Sequence, residues 1–193
     1  MIVFIVVPNN RSLTNYSAAA LNCIANADKC RIVKSRGEDV PFIVDEFSKN
    51  GKNAIGLTGK DLLKEYEMSN YETKLSVLKT IPWCDNNAMF KKPVLCLLGP
   101  KNKTLDDMPK KLKVCINSKY RNIAKKFLNL LEDKGFSFVK FYLSGSTEAA
   151  YSSGLSDLVV DIVYTGNSIR LANLQVYEKI YESDFVVIGV KDD

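Results

Sequence analysis

Short apolar runs alternate with helix-patterned segments along almost the whole chain, and this alternation constrains the fold more than any other feature. Residues 2–7, 31–34, 53–57 and 75–81 read as strands, with helices over 12–26, around 40–47 and from 58 onward. A second set follows, with strands at 93–99, 112–117, 137–142 and 158–163 and closing strands at 175–181 and 184–190. Its helices fall at 119–134, after Ser146 and from about Gly166. Alternation of this kind predicts an α/β fold with mainly parallel sheets and helices on both faces. The irregular and polar region 83–111 separates the two sets, so the chain reads as two lobes with a cleft between them. The expected limits are 1–92 and 177–193 for lobe I, and 93–176 for lobe II. Ligands of such sheets bind at the carboxyl ends of the strands.

Local signals sharpen several elements. Val40, Ile43, Val44 and Phe47 form one apolar helix face. Asp39 can cap its start, Pro41 suits its first turn and Asn50-Gly51 ends it. Thr58-Gly-Lys-Asp61 has capping-box spacing. The 119–134 helix is expected to bury Ile123, Phe127, Leu130 and Leu131, and Gly135 to stop it.

The absence of histidine from all 193 residues removes Ser-His and Cys-His pairs, histidine bases and histidine metal ligands. Chemistry must rest on carboxylates, Lys, Arg, hydroxyls, backbone amides and bound metal. Five cysteines at wide spacings, with no Cys-x-x-Cys, argue against a disulfide framework or zinc site and fit a reducing cytoplasm. Cys96 and Cys115 lie in apolar runs and read as core thiols. The apolar run 1–7 has no basic leader or cleavage site and is short for a span, so it reads as a buried strand, with no membrane segment elsewhere. A net charge of +5 suits a phosphate-rich ligand. The lysines at 101–113 lack interleaved aromatics and read as a solvated loop, not a nucleic-acid surface.

Five turns at predicted strand ends carry the candidate chemistry. The strand 158–163 runs into Thr165-Gly166-Asn167-Ser168 and a helix start. Amides there, with the Thr165 and Ser168 hydroxyls, can hold a phosphate, the helix dipole adding roughly 0.3–1 kcal/mol. The same pattern also describes a plain turn with Thr as N-cap. Asp161 lies near that strand end, where it can face a ribose hydroxyl or a magnesium ion. In Leu143-Ser-Gly-Ser-Thr-Glu148, Glu148 can cap a helix or bind ribose. Lys60, in Ile55-Gly-Leu-Thr-Gly-Lys-Asp61, can contact pyrophosphate or be an exposed first-turn lysine. Arg11 and Arg36, at two further strand ends, can contact phosphates or be surface charges. Together these turns point to a phosphorylated ligand.

The same residues resemble the ATP phosphoribosyltransferase family. Its signature runs Glu, five residues, Gly, one, a small residue, two, Ile/Val, one, Asp, an aliphatic, two, Ser/Thr, Gly, one, Thr, Leu/Met. Here Glu148, Gly154, Ser156, Val159, Asp161, Ile162, Thr165 and Gly166 fill it, with Ser168 and Ile169 in the last two slots. Ser-Gly-Ser-x-Glu, Arg36-Gly-Glu-Asp-Val-Pro41 and Gly56-Leu-Thr-Gly-Lys-Asp61 also resemble the family, in the same order. Near the N-terminus the family has Pro-Lys-Gly-Arg-Leu; this chain has Pro8-Asn-Asn-Arg-Ser-Leu13, without the lysine and glycine. The 83–92 segment is also unusual.

The resemblance implies a two-lobed, type II periplasmic-binding-protein-like α/β fold. It implies condensation of ATP with phosphoribosyl pyrophosphate to N1-(5-phosphoribosyl)-ATP and pyrophosphate, with Mg2+ assisting, as the first step of histidine biosynthesis. Thr165, Gly166, Asn167 and Ser168 would hold the 5-phosphate and Asp161 the ribose, with Glu148 nearby as the second catalytic residue, and Arg11, Arg36 and Lys60 would face the other phosphates. No side chain is assigned to metal. Long members carry a C-terminal regulatory domain, for which 193 residues leave no room. Short members pair with a subunit related to histidyl-tRNA synthetase. A homo-oligomer, dimer or larger, in the cytoplasm is expected by the same resemblance. The competing readings are a divergent member that binds without turnover, and a cytoplasmic solute-binding module on the same fold.

Overall fold

The computed structural model describes residues 3–10, 13–24 and 26–191. Two units divide them: one up to Trp83 and again from Asp184, the other from Cys84 to Ser183.

The first unit contains β1 (Phe4–Pro8), α1 (Thr14–Leu21), β2 (Arg31–Ser35), α2 (Val40–Lys49), β3 (Ala54–Gly59), α3 (Lys60–Ser69) and β4 (Leu75–Ile81), and takes β10 (Phe185–Val190) from late in the chain. Its sheet runs β2-β1-β3-β10-β4. The second contains β5 (Val94–Pro100), β6 (Lys111–Asn117), α4 (Arg121–Glu132), β7 (Ser137–Leu143), α5 (Thr147–Ser152), β8 (Leu158–Val163), α6 (Asn167–Leu171) and β9 (Leu174–Glu182). Its sheet runs β7-β6-β8-β5-β9.

Each sheet has one reversed strand, second from an edge. β10 is antiparallel to β3 and β4, and β5 is antiparallel to β8 and β9, while β1–β2, β1–β3, β6–β7 and β6–β8 pair in parallel. The strands reached through crossover helices keep one direction. The reversed strands are those entered after the chain passes from one unit to the other without such a helix, which frees them to pair antiparallel. The sheets are thus mixed in pairing, though most strands in each share a direction.

The unit limits differ from the expected 92/93 and 176/177. β9 pairs with β5 along its length, from Leu174 opposite Pro100 to Glu182 opposite Val94, which keeps all of it in the second unit. Residues before β5 are tied to the same unit, for the Met89 amide donates to the Tyr164 carbonyl at 2.7 Å.

α2 lies close on β3 because Gly56 has no side chain: a Cβ there would meet Val40 Cγ1 at 2.6 Å and Val44 Cγ2 at 2.8 Å. Val40 and Val44 are fully buried against Val6, Val186 and Ile188. α4 turns Ile123, Ala124, Leu128 and Leu131 inward and leaves Leu130 56% exposed. The expected burial of Leu130 fails because the buried stripe centres on Ala124, Leu128 and Leu131, about 100° or more round the helix from Leu130; Ile123 lies at its margin and Phe127 is half-buried. Gly135, at φ +90°, does end this segment.

Two expected caps are absent. Thr58 is buried inside β3 and donates to the Gly37 carbonyl at 2.9 Å, so Gly59 takes the N-cap position of α3. Asp39 closes a short 3-10 turn, in helical conformation and with no side-chain cap bond. Cys96 and Cys115 are fully buried, and burial pushes their thiols up to about 12 and about 11.

Candidate functional site

The parallel strands β6, β7 and β8 end at one edge of the second unit, with Asn117 opposite Leu143 and Ile116 opposite Val160. A turn and a helix follow each: residues 118–120 before α4, 144–146 before α5 and 164–166 before α6. Asp161 lies inside this edge, opposite Cys96 of β5. Its Oδ1 accepts from Asn117 Nδ2 at 2.9 Å and from the Ile162 amide at 2.7 Å. Its Oδ2 accepts from Thr147 Oγ1 at 2.6 Å. Burial pushes this carboxyl above its ordinary value; the hydrogen bonds from Thr147, Ile162 and Asn117 oppose the rise, and the nearby Glu148 charge adds to it. Glu148 occupies the first turn of α5 and is half-buried. Ser146 holds the N-cap position there, with no side-chain cap bond.

Gly166 turns the chain from β8 into α6 at φ +75°, a left-handed conformation that glycine adopts without strain. It is the N-cap residue, so Thr165 lies outside the helix, its hydroxyl accepting from the Asn167 amide at 3.4 Å. Thr165, Asn167 and Ser168 are exposed around the buried glycine. The Asn167 side chain accepts from the Arg170 guanidinium. α6 has only five residues, so anion binding at this turn would depend on individual donors more than on a helix dipole.

Residues 85–91 brace the same turn. A Cβ on Gly166 would meet Met89 Sδ at 3.3 Å, and the Tyr164 hydroxyl donates to Asp85. That bond and the Asn87 amide hold the Asp85 carboxyl below its ordinary value.

In the first unit the ends of β1, β2 and β3 share an edge, joined where the Asn9 amide donates to the Ser35 carbonyl at 2.7 Å. Arg36 lies just past β2 with its side chain 68% exposed, pairing with Glu38 at 2.6 Å. Lys60 is exposed at the start of α3, and its amide donates to the Asp184 carbonyl at 2.9 Å. Arg11 lies outside the described residues.

Asp161, Glu148 and the 165–168 turn therefore gather on the second unit, and Arg36 and Lys60 on the strand-end edge of the first. Asn117 and Thr147 escaped sequence reasoning. Thr147 fills the unspecified slot of Ser-Gly-Ser-x-Glu, and Asn117 is a polar residue ending an otherwise apolar strand, a signal only in hindsight. Among the described residues no three acids or cysteines group to hold a metal ion. Asp161 already accepts three donors, which leaves one of the roughly four acceptor positions of a carboxylate.

Two α/β units with small-residue turns at parallel strand ends define the periplasmic-binding-protein-like class. The aliphatic sulphonate binding protein SsuA from Escherichia coli has the same fold, with a TM-score of 0.60 at 14% identity over 98% of this chain and 65% of that one. A chain of the ATP phosphoribosyl transferase (HisG:HisZ) complex from Thermotoga maritima matches with a TM-score of 0.72 at 24% identity, over 98% of this chain and 88% of that one. The family model for HisG, ATP phosphoribosyltransferase, matches residues 36–193, and the chain belongs to this family. The ATP phosphoribosyltransferase of Caldicellulosiruptor saccharolyticus is 34% identical over 142 residues, 74% of this chain and 61% of that one. That of Listeria welshimeri is 30% identical over 171 residues, 84% of this chain and 72% of that one. The chain thus spans 61% of the length of the Caldicellulosiruptor relatives.

Proposed function

We propose that this chain catalyses the condensation of ATP with phosphoribosyl pyrophosphate to N1-(5-phosphoribosyl)-ATP and pyrophosphate, the first step of histidine biosynthesis. One observation carries the reading: Asp161, held by three donors, lies on the strand that feeds the 165–168 turn, inside the family signature.

In this reading the turn holds the 5-phosphate through its amides and the hydroxyls of Thr165 and Ser168. Asp161 and Glu148 accept from the ribose hydroxyls. N1 of adenine forms its bond to ribose C1 as the bond from C1 to the pyrophosphate oxygen breaks, and the electron pair leaves with pyrophosphate. Both carboxylates place negative charge near the carbon that becomes electron-poor, and positioning of two substrates supplies much of the remaining rate. Arg36, Lys60 and Arg11 take the other phosphates. Magnesium enters as the counter-ion of the pyrophosphate substrate.

The Thermotoga maritima structure holds its chain in a HisG:HisZ complex, which supports a HisZ-like regulatory partner for this one. A homo-oligomer and a cytoplasmic location complete the reading; no described helix is long and apolar enough to cross a membrane. Binding without turnover is the second reading, favoured by Asn9-Asn10 in place of the family's Lys-Gly. Pyrophosphate release separates them. Release that needs ATP and phosphoribosyl pyrophosphate together is expected. No release with both, even with a HisZ-like subunit added, contradicts the transferase.

A further inference from the structure

We propose that Asn117 and Thr147 are positioning residues that clamp the Asp161 carboxylate, leaving it one acceptor position for a substrate hydroxyl. The inference rests on the transferase reading for what that position receives, but the clamp itself stands on geometry.

An ionised carboxylate offers about four acceptor positions. Asn117 Nδ2 and the Ile162 amide occupy Oδ1, and Thr147 Oγ1 takes one position on Oδ2. The donors come from the end of β6, the first residue of α5 and the backbone of β8, so three elements fix one side chain.

Both side-chain donors are themselves constrained. Asn117 Oδ1 accepts from the Lys119 amide at 3.2 Å, which orients the side-chain amide and directs Nδ2 to Asp161. Thr147 is fully buried, and its hydroxyl spends its proton on Oδ2. A buried hydroxyl without an acceptor would be costly, so Thr147 and Asp161 hold each other.

Without these two donors only the Ile162 amide still favours the charged form. The carboxylate is withdrawn from water, Glu148 of α5 repels its charge, and the Cys115 thiol of β6 lies close enough to be raised by it. The clamp opposes the rise that burial causes and aims the group where a sugar hydroxyl can donate to it.

Thr147→Val keeps the shape and removes the donor; Thr147→Ser keeps the donor. Carbon-13 NMR of labelled Asp side chains in the unliganded protein, followed against pH, reads the clamp without any substrate. Thr147→Val and Asn117→Ala should each move the Asp161 titration to higher pH, and Thr147→Ser should leave it near the native position. In turnover, Thr147→Val should lower kcat about ten- to a hundredfold with the KM for ATP unchanged, the loss expected for one hydrogen bond to a charged group. Thr147→Ser should recover most of that rate. An unmoved titration in both Thr147→Val and Asn117→Ala overturns the clamp, as does a loss in Thr147→Val that Thr147→Ser shares equally. A titration that moves as expected in a protein that forms no phosphoribosyl-ATP upholds the clamp and removes the transferase reading instead.

Discussion

Two aspartates show how the same chemistry serves different ends. Asp45, in α2, is 4% exposed and accepts from Tyr66 Oη at 2.8 Å and Thr73 Oγ1 at 3.0 Å, with Lys49 Nζ at 2.9 Å. Burial raises its carboxyl, but Lys49, Tyr66 and Thr73 together bring it below its ordinary value, and Tyr66 is pushed up to about 12. Lys49 is 56% exposed, so water screens that pair and the two hydroxyls matter more. Because the folded pKa is depressed, the stabilisation is present above the unfolded pKa of about 3.9 and is lost as pH falls through the folded value. Asp45→Asn should therefore destabilise the protein by about 1–3 kcal/mol at neutral pH and by less in acid. Denaturant unfolding at both pH values checks this, and an equal loss at both contradicts it. Asp161 instead accepts from Asn117, Ile162 and Thr147, and there burial outweighs the donors and the carboxyl rises.

At the scale of elements, much was legible because local pattern and fold agreed. Leu75–Ile81 and Leu158–Val163 fall where the apolar runs place them, and Asn50-Gly51 ends α2 as expected. What failed depended on contacts distant in sequence. Thr58 has capping-box spacing, yet the carbonyl of Gly37, 21 residues away, claims its hydroxyl. Asn117 and Asp161 lie 44 residues apart, and only the β6–β8 register brings them together. No periodicity reports such a pair. The packing of α2 on β3 gives a further test. Gly56→Ala places a methyl into Val40 and Val44, and overpacking of this kind typically costs about 1–3 kcal/mol. A lowered denaturation midpoint is expected; an unchanged one shows that α2 can shift away without loss.

For the whole molecule, the sequence reads as two alternating sets whose last segment, 177–193, returns to the first. The chain passes from the first unit to the second after Trp83 and returns after Ser183, so the first unit closes only when β10 pairs between β3 and β4. β10 is buried at Phe185, Val186, Val187 and Ile188, which makes this late strand part of the first unit's core. The family signature, by contrast, lies within the second unit, from the start of α5 to the start of α6, and was readable because its spacing is contiguous. In the proposed function this segment carries a phosphoribosyl-transfer site with Asp161 at its centre. The most direct measurement compares phosphoribosyl-ATP formation by the native chain and by Asp161→Asn. Both are supplied with ATP, phosphoribosyl pyrophosphate, magnesium, pyrophosphatase and a HisZ-like subunit. A native rate reduced about a hundredfold or more in a folded Asp161→Asn variant is the predicted result. Equal rates in the two proteins would contradict the account.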